Sequence, residues 1–122
     1  MQKMSLVGTI GLLALAVSGL ARAHHSHAMF DHSREVTLTG KVTNFAFTNP
    51  HAFLYIDVED EGGEVVNYWV EMSNIPNMIR RGVSPRTFNV GDVVTVNFHP
   101  LMDGRPGGNY ITVKAADGKT YD

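Results

Sequence analysis

Glu35-Val36-Thr37-Leu38-Thr39-Gly40-Lys41-Val42-Thr43 carries the pattern from which the architecture follows. Apolar Val36, Leu38 and Val42 alternate with polar Thr37, Thr39, Lys41 and Thr43, the period-two pattern of a half-buried strand. Gly40 falls in the inward row. A glycine there is expected where a long strand coils sharply around a barrel. Thr48-Asn49-Pro50 ends the strand, because proline donates no ladder hydrogen bond and restricts the residue before it.

A second strand is expected from about Ala52 to Val58. Acidic residues and Gly62-Gly63 form a hairpin turn, and a third strand runs from Val65 to Met72. Ser73 to Gly82 carries a Ser or Asn cap, Pro76 in the first turn, Arg80 and Arg81 in the last and a closing glycine, which describe a short helix. Val90-Gly91-Asp92 turns into a fourth strand, Val93 to His99, stopped by Pro100. A glycine-rich loop from Asp103 to Gly108 precedes a fifth strand, Tyr110 to Lys114, and a polar tail. Three strands, one helix and two strands give an all-β expectation: a five-stranded OB-like barrel spanning residues 35–122, its helix between strands 3 and 4.

Upstream of the barrel, residues 1–23 read as a cleavable signal peptide. Lys3 supplies positive charge, Leu6 to Leu20 is uncharged and apolar, and Ala21-Arg22-Ala23 has the small-x-small form that signal peptidase accepts. The apolar run is shorter than the roughly 20 residues of a permanent span, so no stable membrane insertion is expected after cleavage. Cleavage after Ala23 would place the remaining 99 of 122 residues in the periplasm and shift the formal charge from −2 to −4. An acidic surface excludes a phosphate-backbone partner such as nucleic acid. With no cysteine, disulfides and thiolate metal sites are excluded as well.

Residues 24–34 form a histidine-rich arm. His24, His25, His27 and His32 lie within nine residues, and His51 and His99 complete the six histidines. Cleavage before His24 would join a free amine to an imidazole on one residue, a chelating pair suited to copper. A cut after Ala21 would instead leave His24 third in the chain, which also suits Cu(II).

Topology adds a neighbour. In the expected barrel the first strand runs antiparallel to the fourth, so the arm should lie beside His99, which is in the outward row with Thr95 and Asn97. The metal set expected from sequence is therefore His24, His25, His27 and His99, with His51 and the thioether of Met102 as further candidates. The implied cofactor is a copper ion, the role metal handling rather than turnover, and the partners a metal ion or another periplasmic protein.

Two other readings stand beside this one. If Leu54, Ile56 and Val58 face the core, then Phe53 and Tyr55 face outward and Trp69 joins them, an aromatic face on which OB-folds stack ligands. That would be a non-metal binding module. A histidine at a processed N-terminus also occurs in copper-dependent redox enzymes. Asp57-x-Glu59-x-Glu61-Gly62 begins like a calcium loop, but Tyr68 stands at its twelfth position, where a bidentate Glu is required. No nucleophile motif, phosphate loop or paired-carboxylate signature appears, and no catalytic residue is assigned.

Ala23-His24-His25-Ser26, Met29-Phe30-Asp31, Asn49-Pro50-His51, Trp69-x-Glu71, Gly91-Asp92, His99-Pro100 and Asp103-Gly104 together resemble a family of small exported bacterial proteins. That family is catalogued as a domain of unknown function. The resemblance implies a periplasmic β-barrel with His25, His51, His99 and Trp69 at motif positions, and it supplies no mechanism.

Overall fold

The structure is a computed structural model that describes residues 28–122. The signal-peptide segment and His24, His25 and His27 lie outside the described residues. Among the described residues, no helix is long and apolar enough to cross a membrane.

Strand β1 (Val36–Ala46) is the spine. Its first half pairs antiparallel with β4 (Val93–Pro100), from Val36 opposite Phe98 to Lys41 opposite Val93. Its second half pairs with β2 (Phe53–Glu59), from Lys41 opposite Asp57 to Ala46 opposite Phe53. One strand can serve both ladders only by coiling, and the bend is built in two places. At Gly40 an added Cβ would stand 2.6 Å from the Asp57 carbonyl oxygen, so glycine is required for that approach. A register shift between Val42 and Asn44 then increases the twist.

Asp60 folds the chain from β2 into β3 (Val65–Glu71): its Oδ1 accepts the amides of Gly62 and Glu64, each at 2.9 Å. Helix α1 (Ile75–Arg80) is capped by Asn74, whose Oδ1 accepts the Asn77 amide at 2.9 Å. It directs the fully buried Met78 into the core. The barrel closes through a parallel pairing of β3 with β5 (Gly107–Lys114), Trp69 lying opposite Gly107 and Glu71 opposite Asn109. The sheet order β3-β2-β1-β4-β5 with this closing pair is the OB-like barrel expected from the sequence.

Of the two registers open to β2 and β3, the structure has the one that turns the aromatic rings outward. Leu54, Ile56, Val70, Val94, Val96, Phe98 and Val113 are each no more than 1% exposed and fill the barrel, while Phe53, Tyr55 and Trp69 stand on its outer surface, half-buried. Each fully buried side chain of this size contributes about 1.5–3 kcal/mol through removal from water, so a shift of one residue would forfeit most of the core.

Two elements differ from the sequence-based expectation. Strand β5 begins at Gly107 rather than Tyr110, because two glycines allow the chain to press against β3 and β4 where side chains would collide. The polar tail is not a tail: Thr120–Tyr121 forms β6 against Val113 and Lys114. Tyr121 drives this, since its ring is 8% exposed and packs edge-on against Phe88 at 5.7 Å.

Candidate functional site

The ladders gather several functional elements at one end of the barrel. Val36 opposes Phe98, Pro100 opposes Gly108, and Glu71 opposes both Asn109 and Phe53. The start of β1, the end of β4, the start of β5, the end of β3 and the start of β2 are therefore neighbours. The N-terminal arm and the connections after β1, β3 and β4 all emerge there.

The arm is fastened to this end by backbone pairing. The Asp31 amide donates to the Pro100 carbonyl at 2.8 Å and the Met102 amide to the Met29 carbonyl at 2.9 Å, around a bridge between Phe30 and Leu101. Phe30 is 3% exposed and meets the Trp69 indole edge-on at 6.1 Å. The Asp31 carboxylate accepts the Ser33 hydroxyl at 2.6 Å and the Ser33 amide at 3.1 Å. These hydrogen bonds, the hydroxyl's foremost, hold its pKa below the ordinary carboxylate value.

Fastening the arm brings His32 against His99, with ring centroids 4.8 Å apart. His99 Nδ1 lies 2.8 Å from the Arg34 carbonyl oxygen. A carbonyl can only accept, so Nδ1 carries the proton in this contact. A neutral His99 then has its lone pair on Nε2. Metal-ligating histidines are commonly oriented in this way. The expected closeness of the arm to His99 is thus observed for residues 29–34.

The other expected ligands are separate. Met102 is part of the backbone rung to Met29, but its side chain is 69% exposed. His51 follows the cis Asn49–Pro50 peptide, and its Nδ1 lies 2.6 Å from Glu71 Oε1. Among the described residues, no group of three or more His, Asp or Glu side chains converges as a metal would require.

Around His51 and Glu71 opens a cavity of about 360 Å³, bounded by the β3–α1 connection on one side and by Asn109 and Tyr110 of β5 on another. The Asn109 side-chain amide donates to the Glu71 carbonyl at 3.3 Å. Arg81, just past α1, donates to the Tyr110 hydroxyl. Burial pushes the Tyr110 phenol above its ordinary pKa, and Arg81 partly offsets the shift.

The aromatic face lies beside this cavity on the outer surface. Phe53 is 6.5 Å from Tyr55 and 6.2 Å from Trp69, ring to ring. Trp69 is partly used by the fold itself, since it carries Phe30 and the arm.

Sequence reasoning grouped His32 with the arm without selecting it, and it did not find the His51–Glu71 pair. The second was within reach: Phe53 opposite Glu71 puts His51, two residues earlier, on the same face as the carboxylate. The first was not, because the arm joins the barrel outside the regular β1–β4 register.

The motif residues Phe30, Asp31, His51, Trp69, Glu71, His99 and Pro100 thus converge on one end of the barrel. No curated protein and no solved structure matches the chain. A family model does match, over residues 12–112. On that match the chain belongs to the family of unknown function DUF6152.

Proposed function

We propose that the protein is an exported, periplasmic metal-handling barrel that binds copper between its histidine-rich arm and the end of β4. The observation that carries this reading is the His32–His99 pair at 4.8 Å, with His99 Nδ1 committed to the Arg34 carbonyl. Two imidazoles do not complete a site. The remaining donors come from the segment directly upstream, where His24, His25 and His27 precede Ala28. Chain length supports this, because Met29 is pinned to Met102 and His27 lies only two residues before it. Two residues span at most about 7 Å. Imidazoles with a terminal amine and no thiolate favour Cu(II) among the divalent ions.

Equilibrium dialysis of the processed protein against Cu(II) tests the reading. One ion per chain, bound tighter than micromolar and weakened by both His24→Ala and His99→Ala, is expected. Binding that is weaker than micromolar, or indifferent to both substitutions, contradicts it.

A further inference from the structure

We propose that the cavity between the β3–α1 connection and β5 binds a small organic oxyanion, a carboxylate or phosphate group gripped by Arg81. The proposal is independent of the arm and of any metal.

The charges decide the ligand's sign. Glu71 is engaged by His51 at 2.6 Å. Arg81 has no acidic side chain within ion-pairing distance among the described residues, although the chain as a whole carries a net charge of −2. The hydrogen bond that positions Arg81 is to the neutral hydroxyl of Tyr110, which uses Nη1. The Nε and Nη2 edge of the guanidinium has no partner among the described residues. That planar edge matches the two oxygens of a carboxylate or phosphate.

Other donors line the same cavity. Asn74 uses its Oδ1 to cap α1, which leaves its Nδ2 protons uncommitted. Ser73 Oγ accepts from Asn77 Nδ2 at 3.0 Å and retains its own proton to donate. Arg81, Asn74 and Ser73 thus line a volume of about 360 Å³, within the size range of small-molecule sites. Glu71 and His51 form the far wall and fit a hydrogen-bonding group elsewhere on the ligand.

The test is an amide and side-chain NMR titration of the processed protein, stripped of metal on a chelating resin, with succinate and inorganic phosphate as separate probes. Saturable shifts at Ser73, Asn74, Arg81 and Asn109 are expected with one probe, and the better probe identifies the oxyanion. Arg81→Gln should weaken binding about tenfold or more, since a bidentate charged contact is lost. Asn74→Ser keeps a good cap for α1 while removing the amide donor, and should weaken binding about fivefold. Arg105→Gln, whose guanidinium already pairs with Asp103 at 2.8 Å, should leave binding unchanged. Failure of both probes to saturate overturns the proposal. So does equal weakening by Arg81→Gln and Arg105→Gln, or no effect of Asn74→Ser. Because no metal is present, none of these results depends on the copper reading.

Discussion

Trp69 rests on the bare backbone of Gly107. A Cβ at position 107 would stand 2.6 Å from the Trp69 carbonyl oxygen and 2.7 Å from Cε2 of its indole. This contact closes the barrel, since Trp69 and Gly107 are partners in the parallel β3–β5 pairing. It also holds the indole where Phe30 can pack on it.

Gly107→Ala should therefore destabilise the protein by about 1–3 kcal/mol, the usual cost of forcing extra volume into a packed site. The closest of the three clashes is with backbone, which has no rotamer by which to yield. Urea unfolding followed by Trp69 fluorescence measures the effect. An unchanged midpoint would show that β3 and β5 are not pressed together as described.

Phe30→Ala tests whether the arm is a packed element of the fold. Removing a buried phenylalanine costs about 3–5 kcal/mol in a rigid core. Here the loss should be taken mainly by release of the arm. The Asp31 and Met102 amides, which bond across to Pro100 and Met29, should exchange with solvent faster, while Val96 and Val113 in the barrel stay protected. Equal protection at all four positions contradicts a separately docked arm.

Tyr110 gives the barrel a pH dependence at the alkaline end. Its folded pKa is raised above 10.0, chiefly by burial. A raised folded value means that the stability contribution is complete below the ordinary tyrosine pKa and is lost as pH rises through the higher folded value. Stability should therefore fall more steeply above pH 10 in the native protein than in Tyr110→Phe, as denaturation midpoints across that range would reveal. Identical profiles would mean that Tyr110 ionises without resistance.

Much of the barrel was legible because its strands carry strong period-two patterns. Gly40 marks the bend in β1, whereas Phe53-Leu54-Tyr55-Ile56 is apolar on both faces, so the sequence leaves the register of β2 open by one residue. The start of β5 was harder to read, because Gly107 and Gly108 carry no pattern, and their pairing depends on the closeness of Trp69 and His99. Strand β6 rests on one aromatic side chain in a polar stretch, too short a signal for periodicity. The site was partly legible. Antiparallel pairing of β1 with β4 placed the arm near His99, but the choice of His32 as its neighbour depends on the irregular bridge between Phe30 and Leu101. The His51–Glu71 contact follows from register alone, whereas Arg81 reaches Tyr110 through a helix end whose direction no local pattern encodes.

The most direct test of the copper reading is paramagnetic broadening. Substoichiometric Cu(II) added to the processed, isotope-labelled protein should selectively bleach the imidazole resonances of His32 and His99 and the nearby amides of Arg34 and Leu101. His51, beside Glu71 on the far side of Asn109 from His99, should bleach only at higher Cu(II). Bleaching confined to residues 24–28, or centred on His51, would contradict a site shared between the arm and the end of β4.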